Sequence, residues 1–171
     1  PSSIIAQEQI ELKSDSALLV DASSGKILFE KNANQKLFPA SITKIMTALL
    51  VMESIDKGEI SLDEKVTISD NAWKMGGSQV FLGVGEEQTV ENLLKSIIIS
   101  SANDACVALA EHLMGNESNF VKRMNERAKE LGMQNTNFIN SHGLHDDNHY
   151  TTANDIAIMT RELLKHEKIL E

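Results

Sequence analysis

The sequence predicts an α+β fold, predominantly helical, with a β-hairpin near its N-terminus. Two short apolar runs, residues 16–22 and 26–30, flank the turn Ser23-Ser24-Gly25, where Gly25 is available for a positive φ. Downstream, apolar residues recur at helical spacing in one segment after another. Cap-forming polar residues or proline open several of these segments, and glycine closes others.

A lone two-stranded hairpin is marginal in water, so it must pack on helices or pair with further strands. Residues 1–15 are polar and irregular, and residues 32–37 are a polar connection. Pro39 then suits a helix start, where its fixed φ fits and its missing N–H is not needed. Ile42, Ile45, Met46, Leu49 and Leu50 give the buried stripe of a helix running toward Gly58. Residues 65–68 form a short strand candidate, and residues 69–75 a capped helical turn ending at Gly76-Gly77. Thr89 is placed to cap a helix that carries Val90, Leu93, Leu94, Ile97 and Ile98 inward. The pattern breaks at residues 100–104 and resumes as Cys106, Leu109, Ala110 and Leu113. A polar cluster wedged between two buried helices must satisfy its hydrogen bonds locally, as caps or as a site. Residues 117–131 form an amphipathic helix stopped by Gly132. A long loop, residues 135–150, contains Ser141-His142-Gly143-Leu144-His145. Thr152-Ala153-Asn154-Asp155 resembles a capping box and opens a last helix with Ile156, Met159, Leu163 and Leu164 inward.

A chain of 171 residues, 42% apolar and 24% charged, is one domain, or one domain and part of another, with room for a real core. Aromatics make up only 4%, so Leu, Ile, Val and Met must fill the interior. The net charge of −9 argues against nucleic acid, which calls for a basic face, and gives no support for an anionic membrane surface. No apolar run approaches the roughly 20 residues of a spanning helix. The start without Met, too short in its apolar part for a signal peptide, suits a processed or trimmed protein. Cys106 is the sole cysteine, so no internal disulfide is possible, and its neighbours make it a small core residue.

Ser41 and Lys44 lie three residues apart at a buried helix start, on one side and within mutual reach. A serine needs a base to become a nucleophile, and a desolvated lysine can be that base. Pro39-Ala40-Ser41-Ile42-Thr43-Lys44 and Ser101-Ala102-Asn103 together resemble the first two of three motifs of the penicillin-binding serine acyl-transferases. The likeness runs from Ser16 to Leu164 and is nearest to the low-molecular-weight D-alanyl-D-alanine carboxypeptidases. Residues 19–28, 101–105, 131–138 and 150–153 all look like that family, in its order.

The resemblance implies a β-lactamase/transpeptidase-like domain, and it implies roles. Ser41 would be the acylated nucleophile, Lys44 its general base and Ser101 a proton relay to the leaving amine. Asn103 would hold Lys44 and the substrate amide, the Ser41 N–H would give half of the oxyanion hole, and His142, Gly143 and Leu144 would border the substrate groove. The reaction would remove the terminal D-alanine of the peptidoglycan pentapeptide stem, outside the cytoplasmic membrane, and β-lactam antibiotics would acylate the same serine. The resemblance implies no cofactor and no metal.

The third motif, Lys-Thr/Ser-Gly, has no counterpart among the 171 residues. By resemblance, residues 16–171 would be a partial catalytic domain, with hairpin and helical region but without the later strands. Acylation by this stretch alone is then expected to be weak or absent. Three other readings compete. A β-lactamase would need a deacylating glutamate, and no Glu-x-x-Leu-Asn follows Asn135. His142, His145, Asp146, Asp147 and His149 could form a metal loop, although their spacing follows no ordered ligand pattern. A non-catalytic binding fragment could self-associate through an open sheet edge.

Overall fold

The computed structural model describes residues 11–170. Residues 1–10 of the expected irregular start lie outside the described residues, and residues 11–16 carry neither helix nor strand. The hairpin forms as β1 (Ala17–Val20) and β2 (Ile27–Lys31), antiparallel, with Leu19 opposite Phe29 and a bulge between Leu19 and Val20. The turn is stitched by Asp21, whose carboxylate accepts from the Ser24 N–H and from the Ser23 and Ser24 hydroxyls. Those bonds hold the Asp21 carboxyl at about 2, below its ordinary range.

The chain then reaches a 3₁₀ turn, Ala40–Thr43, and helix α1 (Lys44–Asp56). The helix therefore begins three residues later than Ser41, and Ile42, expected inside, is exposed on the 3₁₀ turn. α1 is the centre of the molecule. Met46, Ala48, Leu49 and Val51 are wholly buried, and four later helices pack around it. Burying a side chain of Leu or Met size contributes about 2 kcal/mol, so this one helix anchors much of the core.

β3 (Lys65–Thr67) pairs with β4 (Glu87–Thr89), a three-residue strand that the sequence pattern did not announce. Between them lies α2 (Asp70–Trp73), capped by Ser69, whose hydroxyl accepts from the Ala72 N–H. α3 (Val90–Ser100) is capped by Thr89 as expected. Ile97 is buried but Ile98 is half exposed: adjacent residues diverge by about 100° around a helix, and at this last turn only Ile97 faces the core. α4 (Asn103–Met114) follows after one left-handed residue, Ser101. Cys106 is completely buried in it, as a small core residue.

α5 (Glu117–Glu130) has Asn116 as its cap and puts Phe120, Met124 and Ala128 in the core. α6 (Ala153–Leu163) is capped by Thr152, which accepts from the Asp155 N–H. The capping box is only half made, because the Asp155 carboxylate turns instead to the Asn135 N–H and the Thr136 hydroxyl. Met159 and Leu163 are buried while Leu164, the helix C-cap, is exposed, against expectation. α6 also packs on β1, and Arg161 donates to the carbonyls of Ala22 and Ser23 in the hairpin turn. No helix among the described residues is long and apolar enough to cross a membrane.

Candidate active site

Ser41 sits on the 3₁₀ turn directly after Ala40, which holds a left-handed φ of 47°. For a residue with a Cβ that conformation is strained, and it lifts the serine out of the regular helix into solvent. What over-determines the strain is Gly143, which lies against the Ala40 carbonyl. A Cβ on Gly143 would meet that oxygen at 1.9 Å, and Gly143 itself has φ +93°. Only glycine fits there. Gly143, expected at the groove, thus packs against the turn that carries Ser41 and also lines a small pocket with Phe38, Leu144 and His145.

One turn on, Lys44 is buried, with 4% of its surface exposed. Its Nζ donates to Ser41 Oγ at 3.3 Å and to the His142 carbonyl at 2.7 Å. Burial pushes the lysine down from its ordinary value. The neighbouring Cys106 thiol is pushed far up by burial and stays neutral. Hydroxyl and depressed amine are therefore in contact, which is the geometry of an activated serine.

Ser101 has a left-handed φ of 54° at the junction of α3 and α4. Its Oγ is buried and has no hydrogen-bond partner among the described residues. Unpaired buried hydroxyls are uncommon. Asn103 opens α4. Its backbone N–H donates to Ser78 O and its side-chain amide to Gly76 O, both at 2.7 Å. The resemblance assigned Asn103 to Lys44, yet no hydrogen bond joins them among the described residues. The lysine's partners are Ser41 and the His142 carbonyl. Asn103 instead secures the 76–78 segment, and the neighbouring Asp104 carboxylate completes the strap by accepting from the N–H groups of Val80, Leu82 and Ala105. Leu144, exposed, stands beside Gly77 next to the Asn103 amide, so the loop after α5 reaches from Ser41 to the second motif.

The histidines of that loop do not converge. His149 is buried, accepting from the Ile139 N–H at Nδ1 and donating through Nε2 to Thr43 at 2.8 Å. His142 accepts from the Leu144 N–H at Nδ1. His145 is exposed beside Asp147. No cluster of three or more ligating side chains forms among the described residues. His142 was expected to border the groove. Its backbone carbonyl accepts from Lys44 Nζ, a contact that leaves no mark in a sequence.

The family model for D-alanyl-D-alanine carboxypeptidase matches residues 3–170. The chain belongs to that family. Over 154 residues it is 55% identical to the D-alanyl-D-alanine carboxypeptidase DacF of Bacillus subtilis, a match covering 90% of this chain and 40% of that protein. It is 40% identical over 173 residues to DacC of Escherichia coli, covering 96% of this chain and 43% of that one. Among solved structures, the D-alanyl-D-alanine carboxypeptidase DacD from Francisella tularensis superposes with a TM-score of 0.92 at 38% identity, over 94% of this chain and 39% of that one. Penicillin binding protein 5 from Haemophilus influenzae superposes at 0.88 and 39% identity, over 91% and 46%. The chain thus spans about 40% of the length of the curated relatives it matches. The expected α+β, transpeptidase-like fold is borne out.

Proposed function

We propose that this chain carries the nucleophile-bearing half of a serine D-alanyl-D-alanine carboxypeptidase. The observation that supports it most is the contact between exposed Ser41 and a buried, depressed Lys44. In this reading neutral Lys44 takes the Ser41 proton as the oxygen attacks the carbonyl of the penultimate D-alanine. The negative charge that develops on the carbonyl oxygen is met by the Ser41 N–H. Collapse breaks the amide bond, and Ser101 relays to the departing D-alanine amine the proton that Lys44 took from Ser41. Water then hydrolyses the ester to release the shortened stem and regenerate Ser41. Asn103 and Leu144 flank the substrate's peptide.

The substrate is the pentapeptide stem of peptidoglycan, so the reaction takes place outside the cytoplasmic membrane. β-Lactams acylate Ser41 in the same way. Residues 1–171 without a Lys-Thr/Ser-Gly segment lack one oxyanion donor and one neighbouring cation, so they acylate slowly. Alone at high concentration they pair through the hairpin, where Leu19 and Leu28 are more than half exposed. Intact mass after prolonged incubation with excess benzylpenicillin tests the proposal. The expected result is a slow one-to-one adduct that is absent from Ser41→Ala. An adduct equally present in Ser41→Ala would remove the assignment.

A further inference from the structure

The loop that touches Lys44 is gripped by a carboxylate outside both motifs. Glu117, the first residue of α5, accepts through Oε1 from the Ser141 N–H at 3.0 Å and from the Ser141 hydroxyl at 2.7 Å. The same oxygen lies 3.5 Å from His142 Nε2. Because His142 Nδ1 accepts from Leu144, the ring carries its proton on Nε2, the nitrogen that faces Glu117. Asn116 already caps α5, so Glu117 is not needed there. Its charge is favoured by the helix N-terminus.

The two residues that Glu117 holds present consecutive carbonyls to α1. Ser141 O accepts from Thr47 Oγ1 at 2.5 Å, and His142 O from Lys44 Nζ at 2.7 Å. Lys44 and Thr47 are three residues apart, on one face of the helix. Ser141 and His142 are both buried, so a slip of this segment would leave polar groups of both partners unsatisfied. The remaining ionisable groups around the centre are Cys106 and Asp104 from α4 and His149 from the same loop.

We propose that Glu117 is a positioning residue for the acyl-transfer centre, setting the His142 carbonyl against Lys44 and thereby orienting the amine toward Ser41. The inference rests on Lys44 being the base for Ser41. A neutral amine has two N–H groups and one lone pair. With one N–H fixed on the carbonyl, rotation about the Cε–Nζ bond is restricted and the lone pair is presented to the hydroxyl 3.3 Å away.

The test follows the titration of Lys44 itself in the 171-residue chain, by NMR of lysine labelled at Cε, with Lys44→Arg identifying the signal. The carbonyl stabilises the ammonium form, so withdrawing it lowers the midpoint. Glu117→Ala and Glu117→Asp, the latter keeping the charge but retracting it by about 1.5 Å, both move the midpoint down by about one pH unit. Glu117→Gln keeps an oxygen acceptor for Ser141 and stays within about 0.3 unit of the parent. Thermal unfolding run alongside shows that each variant is folded, and Glu117→Asp keeps the test open should Glu117→Ala not fold. An unchanged or raised midpoint in a folded Ala or Asp variant overturns the proposal, as does a Gln variant shifted as far as Ala. The readout needs no acylation. An adduct equally present in Ser41→Ala would remove the functional assignment and leave this result standing, and an unmoved Lys44 would do the reverse.

Discussion

Acidification should destabilise this domain through one buried ring. His142 is 5% exposed, and burial lowers it from 6.5 to about 4, with Glu117 opposing the shift and Lys44 and His149 adding to it. A folded value below the unfolded one means that the unfolded chain binds this proton more tightly. Stability from this group is therefore whole above about pH 6.5 and is lost as the pH falls toward 4. The full loss is about 3 kcal/mol, a large part of the 5–15 kcal/mol typical of a domain. Urea unfolding at a series of pH values from 7.5 to 4 measures it. The matched control is His142→Asn, whose side-chain oxygen can still accept from the Leu144 N–H but which does not titrate. The parent should lose stability more steeply than this variant between pH 6.5 and 4.5, the gap closing above pH 7. Parallel curves would refute the reasoning, because the acid slope would then come from other groups.

Further outcomes follow from single contacts. Gly143→Ala should cost about 3 kcal/mol or more, because its Cβ would collide with the backbone at Ala40, and chemical denaturation reads the loss. Asp104→Ala should cost at least about 3 kcal/mol by stranding the N–H groups of Val80, Leu82 and Ala105, and should raise amide exchange across residues 78–82. Cys106 should resist alkylation in the folded chain even at pH 9 and react at once in denaturant, since burial both hides the thiol and keeps it protonated.

Much of this architecture was legible in the residues because local chemistry decides it. Ser69, Thr89 and Thr152 cap helices where their spacing says they should, and the apolar stripe of residues 45–52 became the central helix. Ser41 and Lys44 were visible because i, i+3 spacing places side chains together wherever a helical turn forms. The misses lie where tertiary contacts decide. β4 consists of Glu87, Gln88 and Thr89, with no apolar alternation to betray a strand, and exists because Lys65–Thr67 lies beside it. Ile98 and Leu164 were apolar enough for the core, but each stays roughly half exposed among the described residues. The deepest gap is at the site itself. Lys44 is held by the His142 carbonyl, the carbonyl is held through Glu117, and the nucleophile's turn is wedged by Gly143. Backbone acceptors and close approaches are invisible in side-chain identity, so a motif names the reacting groups without naming what aims them.

The central claim is that Lys44 removes the proton from Ser41, and the pH dependence of Ser41 acylation tests it most directly. Adduct formation with excess penicillin, followed by intact mass from pH 6 to 11, should accelerate as the pH rises through a midpoint below the ordinary lysine value, because only the free amine can accept the proton. Lys44→Gln should lose that rise. A rate that does not vary with pH, or a Lys44→Gln variant that keeps the same profile, would contradict the account.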